Sequence, residues 1–447
     1  MSSDTLGTRN GGVDWTPVPQ TALVIHPAKA GDGRLRTPEM RLEEAVGLAE
    51  ALDLEVKDAV VAPLRQLTPA TLFGKGKVQE MHARVEELGV NVVVIDDALT
   101  PVQQRNLEKA WEAKVLDRTG MILEIFARRA RTREGRLQVE LARLAYERSR
   151  LVRTWTHLER QRGGFGVMGG PGETQIETDR RLLADKIGRL KKELEEVRRT
   201  RTLQRDARKR APYPTVALVG YTNAGKSTLF NRLTKAEVLA EDLLFATLDP
   251  TLRTVGLPGG RPAILSDTVG FISDLPHELV EAFRATLEEV EEADVVLHVR
   301  DVSSEETEAQ AHDVREVLKQ LKTGEHGQLL IEVWNKIDLL PADDREAWEV
   351  RARRMESHPE HKAVAVSAVT GEGCDHLLEI LAHLVDDDAA IEADLDAGEG
   401  AALAWLYRHG RVISREERPD GGTHLEVRLD PQALGRFERL YPKARVG

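Results

Sequence analysis

The chain has 447 residues, of which 41% are hydrophobic and 31% are charged, and its formal net charge is −12. This length suggests about three domains, and the composition excludes collagen-like, disulfide-stapled and fully disordered classes. The single cysteine, Cys374, cannot form an internal disulfide, which indicates a reducing compartment.

The N-terminal part of the chain is predicted to be a short tail followed by an α/β domain. Residues 1–20 are rich in Gly, Ser, Thr and Pro, so we expect a disordered tail. Over residues 21–127, short apolar runs alternate with helical patterns, which indicates a small α/β domain with a largely parallel sheet. The predicted strands are 21–28, 57–63 and 91–97, and the predicted helices are 40–52, 78–88 and 101–113.

Residues 128–210 are predicted to form a basic helical hairpin. They carry 24 Lys and Arg against 12 Asp and Glu, a net charge of +12, while the rest of the chain carries −24. Apolar residues recur every seven positions in two stretches, which predicts two amphipathic helices packed as an antiparallel hairpin. The repeated positions are Leu137, Leu144, Leu151 and Leu158, and then Leu183, Leu190 and Val197.

A glycine-rich loop at residues 163–173 joins the two predicted helices. Its Phe165, Val167 and Met168 would be exposed at the end of a basic arm, which suggests a contact surface. Arg-rich helices can be merely soluble, or they can bind the phosphates of RNA. Composition alone leaves both interpretations open.

The next region, residues 211–385, begins with a phosphate-binding loop. The segment VALVGYTNAGKST fits G-x-x-x-x-G-K-[ST] between an apolar strand and a predicted helix, which is the context that this motif requires. Backbone N–H groups surround the phosphates, Lys226 adds charge at the β- and γ-phosphates, and the Ser227 hydroxyl is a Mg²⁺ ligand. The loop consists of Gly220, Tyr221, Thr222, Asn223, Ala224, Gly225, Lys226 and Ser227.

A segment between the phosphate loop and the next motif must supply a threonine to Mg²⁺ and the γ-phosphate. It lies within LLFATLDPTLRTV, residues 243–255. Thr247, Thr251 and Thr254 are the candidates, and their spacing alone does not choose between them.

Three more motifs complete the predicted nucleotide site. Asp267 ends an apolar strand and is expected to hold Mg²⁺ through water, while the Gly270 N–H meets the γ-phosphate. The Asp338 carboxylate can accept both N1–H and the N2 amine of guanine, whereas adenine presents an acceptor at N1, so GTP is favoured over ATP. The backbone of Ser367 and Ala368 is expected to contact guanine O6. The motif residues are Asp267, Thr268, Val269 and Gly270, then Asn335, Lys336, Ile337 and Asp338, then Ser367, Ala368 and Val369.

The end of the chain is predicted to be a linker and a small module. The acidic stretch DDDAAIEADLDAGEG, residues 386–400, is interpreted as a linker. Residues 401–447 indicate one helix, a hairpin around PDGGTHLEVRLD and a second short helix. The predicted fold class is therefore α/β overall: an N-terminal α/β domain, a long antiparallel helical hairpin, a doubly wound P-loop GTPase domain and a small α+β C-terminal module.

At these motifs the chain resembles the HflX family of translational GTPases. The resemblance rests on GYTNAGKST, LFATLDPT, DTVGFISDLPHELVEAFRATLEE, NKID and SAVTGEG, and on GGPGETQIETDRR, which lies outside the GTPase core and is more specific to the family. It covers roughly residues 20–385. It implies GTP hydrolysis with Mg²⁺, binding to the large (50S) ribosomal subunit and to its rRNA, and splitting of stalled or idle ribosomes.

The resemblance also assigns site residues. It implies that Thr247 is the second metal ligand beside Ser227, and that Lys226, Thr247 and Gly270 are the catalytic residues. The nucleotide-contacting stretch around that threonine comprises Phe245, Ala246, Thr247, Leu248 and Asp249. Leu252 departs from the family's usual LDPTTR.

Phe271 stands where many GTPases carry the glutamine that orients the attacking water. We therefore expect slow intrinsic hydrolysis of GTP to GDP, stimulated by the ribosome. Two other functions stay open: a GTPase that acts in ribosome assembly or RNA modification through a partner protein, and a GTP-dependent binding module without hydrolysis.

The sequence also predicts where the protein works. No run of about 18 apolar residues occurs, and the N-terminus lacks the charge and apolar pattern of a secretory signal. We expect a cytoplasmic monomer without a transmembrane segment, and peripheral association with a membrane is left open.

Overall fold

The structure is a computed structural model. It describes residues 20–29, 36–161, 171–209, 213–236, 244–245, 247–248, 250–274, 284–321, 323, 328–356, 358, 362–385, 389–429, 431–442 and 444. The predicted tail up to residue 19, residues 163–170 of the glycine-rich loop, and the site residues Ala246 and Asp249 lie outside this set. The chain falls into two compact units, one from 1–125 and 152–164, the other from 126–151 and 165–447. The four-part division expected from the sequence stays a prediction.

The first unit contains a four-stranded sheet in the order β2-β1-β3-β4, with every pair parallel. The expectation of a parallel α/β fold is confirmed. Strands β1 and β3 are largely buried, whereas β2 and β4 keep partly or fully exposed positions. Thr37 and Thr100 cap two of the helices that follow these strands, each ahead of a proline. The elements of this part of the chain are β1 (Thr21–Lys29), α1 (Pro38–Glu50), β2 (Glu55–Leu64), α2 (Lys75–Leu88), β3 (Val92–Ile95), α3 (Pro101–Trp111), β4 (Lys114–Asp117) and α4 (Arg118–Arg129).

Two long helices follow, α5 (Arg133–Gln161) and α6 (Pro171–Lys209). Lys186 Nζ lies 2.6 Å from Glu140 Oε1, and Arg133 Nη2 lies 4.0 Å from Glu193 Oε2. From the Arg133–Glu193 pair to the Lys186–Glu140 pair, the residue number rises along α5 (140 against 133) and falls along α6 (186 against 193), so this part of the hairpin is antiparallel. The glycine-rich loop was predicted to extend to residue 173, but α6 already begins at Pro171, because proline is well suited to the first helical position.

A six-stranded sheet in the order β10-β9-β8-β5-β7-β6 forms the centre of the second unit. All its pairs are parallel except β6 with β7. The buried side chains of β5, β8 and β9 form one apolar core with those of α7 and α11. The elements are β5 (Thr215–Gly220), α7 (Lys226–Thr234), β6 (Thr251–Gly256), β7 (Pro262–Asp267), α8 (Arg284–Glu291), β8 (Val295–Asp301), α9 (Thr307–Gln320), β9 (Leu329–Asn335), α10 (Ala342–Glu356), β10 (Lys362–Ala365) and α11 (Cys374–Val385).

The C-terminal residues form a three-stranded antiparallel sheet in the order β11-β13-β12. Residues 386–400 were predicted to be a linker, and that prediction is wrong for 389–395, which form a strand. Ile391, Ala393 and Leu395 alternate with acidic residues and are buried, so they supply one face of a strand. The elements are β11 (Ala389–Leu395), α12 (Gly400–His409), β12 (Arg411–Glu417), β13 (Thr423–Leu429) and α13 (Pro431–Leu440).

Candidate active site

The predicted phosphate loop lies at the carboxyl end of β5 and leads into α7. Two of its glycines cannot carry a side chain in this position. A Cβ on Gly220 would lie 2.2 Å from the backbone oxygen of Val299, and one on Gly225 would lie 2.2 Å from Asn335 Nδ2. Gly225 also has φ +87°, in the left-handed region. The loop therefore follows the backbone of the neighbouring strand closely, with its N–H groups at the start of a helix, where anions bind.

Lys226 is the first residue of α7 and is buried. Its Nζ donates a hydrogen bond to the backbone oxygen of Tyr221 at 2.7 Å. Burial lowers the pKa of Lys226 to about 8, although the nearby Asp267 carboxylate acts in the opposite direction. The ammonium is therefore held over the phosphate loop in a setting that disfavours its charge until an anion arrives.

Ser227, Thr247 and Asp267 form a tight triangle of oxygens. Asp267 Oδ2 accepts hydrogen bonds from Ser227 Oγ at 2.7 Å and Thr247 Oγ1 at 2.9 Å, and the two hydroxyls are 2.8 Å apart. Burial raises the pKa of Asp267, with Lys226 opposing it. Its other oxygen, Oδ1, is buried and accepts no hydrogen bond from the described residues. Two hydroxyls and an incompletely satisfied buried carboxylate fit a hard divalent cation such as Mg²⁺.

This triangle distinguishes between the three candidate threonines. Thr247 contacts both Ser227 and Asp267, whereas Thr251 and Thr254 lie within β6 and pair with β7. The structure thus brings together the threonine that the family resemblance indicated with the predicted metal-binding residues.

The segment after Asp267 is joined to the phosphate loop by its backbone. The Phe271 N–H donates to Gly220 O at 3.1 Å, and Phe271 O accepts from the Thr222 N–H at 2.8 Å. A Cβ on Gly270 would lie 3.0 Å from Lys226 Nζ, so the Gly270 backbone lies beside the ammonium. The Phe271 side chain is buried, as are Thr268 and Val269, and a buried ring cannot orient water.

Phe245 lies two residues before Thr247 and has an unusual environment. Its φ is +57°, and its side chain is buried. The ring meets Phe126, from α4, edge to face, with the centroids 4.6 Å apart and the planes at 82°. Sequence reasoning missed Phe126 because nothing local marks a contact between residues so far apart in the chain. The contact anchors the segment that carries Thr247, and the adjacent Leu248 is also buried.

The second half of the site lies at the ends of β9 and β10. Asn335 Nδ2 donates to Ala224 O at 2.9 Å, and Asn335 Oδ1 accepts from the Ala368 N–H at 3.0 Å. This one buried amide therefore joins the phosphate loop to the loop predicted to face guanine. Lys336 has φ +69°, and its Nζ lies 2.8 Å from Asp301 Oδ2.

The loop after β10 differs in one respect from expectation. We expected the Ser367 and Ala368 backbone to contact guanine O6, but both N–H groups already have partners: Ser367 donates to Glu372 O at 2.9 Å, and Ala368 donates to Asn335. The turn is tight, because a Cβ on Gly373 would lie 2.2 Å from Ala365 O. In the same part of the site, Ile337 is buried, Asp338 is half-buried and Val369 is exposed.

These features together identify the class of protein as a P-loop GTPase. The phosphate loop follows β5 of a doubly wound sheet, the oxygens of Ser227, Thr247 and Asp267 lie beside it, and the N-K-x-D turn begins at the end of β9.

Comparison with known proteins identifies the family. Four family models match in succession: GTP-binding GTPase N-terminal at 39–127, GTP-binding GTPase Middle Region at 129–208, 50S ribosome-binding GTPase at 215–336, and HflX C-terminal domain at 352–444. The chain is 54% identical to GTPase HflX of Magnetococcus marinus over 398 residues, 89% of this chain and 90% of that protein. It is 44% identical to GTPase HflX of Escherichia coli over 389 residues, 87% and 89% of the two chains.

The chain belongs to the HflX family and is a GTP-hydrolysing enzyme. Among solved structures, a GTP-binding protein from the archaeon Sulfolobus solfataricus in complex with GDP is 23% identical, with 82% of this chain and 98% of that one covered and a TM-score of 0.43. A likeness at this TM-score adds nothing to the assignment. No helix in the described part of the chain is long and apolar enough to cross a membrane.

Proposed function

We propose that this GTPase requires Mg²⁺, binds the large (50S) ribosomal subunit in its GTP-bound state and separates stalled or idle ribosomes into subunits in the cytoplasm. The description of the matching family model, 50S ribosome-binding GTPase, supports the partner. The charge of the helical hairpin supports an RNA surface, since residues 128–210 carry +12 on a chain whose remainder carries −24. Such a segment binds phosphates by releasing their counterions.

The observation that carries the catalytic part of the proposal is the triangle of Ser227, Thr247 and Asp267. In our proposal the hydroxyls of Ser227 and Thr247 would be Mg²⁺ ligands, and Asp267 would hold the metal through water. When bound, Mg²⁺ would neutralise charge on the β- and γ-phosphates. The N–H groups of the phosphate loop and the Lys226 ammonium hold the phosphate oxygens, and the Gly270 N–H contacts the γ-phosphate.

Base recognition is assigned to the N-K-x-D turn and the loop after β10. The Asp338 carboxylate accepts the N1–H and N2 amine of guanine, and adenine would leave it unmatched. Asn335 and Lys336 keep the turn in place through their bonds to Ala224 and Asp301, and Ile337 anchors it in the core. The loop of Ser367, Ala368 and Val369 is assigned to the O6 edge of guanine, although the Ser367 and Ala368 N–H groups are hydrogen-bonded within the protein.

We propose that hydrolysis is slow until the ribosome helps to orient the attacking water, which Phe271 cannot do. The buried ring at this position leaves the attacking water without a side-chain partner there. Binding to the 50S subunit would order the segments around Thr247 and Gly270 over the γ-phosphate. Hydrolysis then removes the contacts that hold these segments, and the factor leaves the subunit.

The test compares kcat for GTP hydrolysis with and without purified 50S subunits. We expect a large increase in kcat with 50S subunits. A Thr247→Ala variant, purified in the same way, measures the contaminating rate, because it lacks one proposed metal ligand. Equal kcat values for the wild-type protein in both conditions would contradict the proposal.

A further inference from the structure

Arg232 lies near the end of α7, the helix that starts at the phosphate loop, and its guanidinium holds the loop after β10. Its Nε donates to Ala368 O at 3.1 Å, and its Nη2 donates to Val369 O. The group also lies against Gly371, where an added Cβ would be 3.6 Å from Nη1. One side chain therefore donates hydrogen bonds to two successive backbone carbonyls of the loop. No sequence motif marked it.

Holding a carbonyl also orients the N–H of the same peptide. A trans peptide is planar, and its C=O and N–H point in opposite directions. Because Arg232 binds the Ala368 carbonyl, the Val369 N–H points away from the guanidinium. In the same way, binding of the Val369 carbonyl fixes the direction of the Thr370 N–H, which donates to Ser367 Oγ at 3.1 Å.

The Val369 N–H differs from its neighbours in the loop. The N–H groups of Ser367, Ala368 and Thr370 are all hydrogen-bonded within the protein, whereas that of Val369 has no hydrogen-bond acceptor among the described residues. Val369 is also 65% exposed at the tip of the loop. A free donor at an exposed tip needs an anchor to keep a fixed direction, and Arg232 supplies that anchor.

We propose that Arg232 is a positioning residue for base recognition: it fixes the Ala368–Val369 peptide so that the free Val369 N–H donates to O6 of guanine. The inference rests on the guanine site proposed above and deepens it. It assigns the O6 contact to the N–H group that, among those of residues 367–370, has no acceptor among the described residues. It also ties the base site to the phosphate site, since Arg232 and Lys226 share one helix.

The test compares the wild-type protein with one variant of Arg232, and measures for each the Kd of three nucleotides by calorimetry: GDP, IDP and 6-thio-GDP. In 6-thio-GDP sulfur, a weak acceptor, replaces O6 while N1–H and the N2 amine remain, and IDP keeps O6 but lacks the N2 amine. The variant Arg232→Met keeps the stem without the guanidinium. We expect it to weaken GDP and IDP binding by about tenfold, as for one lost hydrogen bond, and 6-thio-GDP binding by less than about threefold.

Arg345→Met is the matched control, because Arg345 binds the carboxylate of Glu372 in the same loop and no loop carbonyl. It should leave all three affinities unchanged within about twofold. Equal losses for the three nucleotides with Arg232→Met, or no loss at all, would overturn the proposal, since a merely structural arginine does not distinguish oxygen from sulfur. If the wild-type protein itself fails to prefer GDP over ADP, the proposed guanine site is at fault instead.

Discussion

Asn335→Asp changes one atom of the amide that joins the phosphate loop to the base-recognition loop. The variant keeps Oδ1, the oxygen that accepts from the Ala368 N–H. Nδ2, which donates to Ala224 O at 2.9 Å, is replaced by a carboxylate oxygen that cannot donate. Asn335 is only 1% exposed, so the carbonyl loses its partner without gaining water. A buried acceptor left unpaired costs about 1–3 kcal/mol.

That free energy appears in nucleotide binding if the loop leaves its binding-competent conformation. The apparent Kd then rises by the inverse of the competent fraction, so we expect GDP binding to weaken by roughly 5- to 150-fold at about pH 8. Burial raises the pKa of a carboxyl group. Below that raised pKa the protonated side chain again has an O–H that can donate to Ala224 O.

The assay is therefore the ratio of variant to wild-type GDP affinity, measured by titration calorimetry between about pH 8 and about pH 5.5. We expect the ratio to recover toward 1 as the pH falls. Asn335→Ala has no proton to regain, so its ratio should stay constant. Parallel pH profiles for the two variants, or wild-type affinity for Asn335→Asp at the higher pH, would refute this reasoning.

Three further predictions concern the lysine, the aromatic contact and the basic hairpin. Since the pKa of Lys226 in the free protein is about 8 and phosphates favour its charged form, GDP binding should weaken above that pH and take up a proton, which calorimetry in buffers of different ionisation enthalpy detects. Phe126→Ala should weaken Mg²⁺-dependent binding of a GTP analogue more than GDP binding, because truncating a buried phenylalanine costs about 3–5 kcal/mol and loosens the segment that carries the proposed metal ligand. Replacing the exposed Arg148 and Arg189 with Gln should weaken 50S binding and reduce its slope against log salt by about one per lost phosphate contact.

Each of these has its own control. Proton uptake should be absent at about pH 6, where the lysine is already charged; uptake that does not depend on pH would show that another group titrates. For the aromatic contact, Phe126→Leu should restore part of the loss, and equal weakening of GDP and the GTP analogue would contradict the link to the metal. For the hairpin, the exposed Arg354 on α10 gives the matched Arg→Gln control, and an unchanged salt slope in the double variant would argue against an RNA surface.

The parts of the site that lie close together in sequence could be predicted from it. The phosphate loop, Asp267 and the N-K-x-D turn each consist of a strand end and a few following residues, so local pattern suffices. The choice of Thr247 over Thr251 and Thr254 needed the family resemblance, because all three fit the spacing.

The rest depends on contacts between distant segments. Arg232 and Phe126 act on residues far away in the chain, and neither belongs to a local pattern. The strand at 389–395 was mistaken for a linker because its acidic residues mask an alternation that only pairing with β13 completes. A long-range hydrogen-bond ladder thus outweighed local composition, which is common for short strands.

Sedimentation of 70S ribosomes with the purified protein tests the central claim most directly. With GTP or a non-hydrolysable GTP analogue, the 70S peak should divide into subunits, and with the analogue the protein should sediment with the 50S peak; GDP should leave the 70S peak intact. An intact 70S peak under all three conditions would contradict the proposal that this GTPase splits ribosomes.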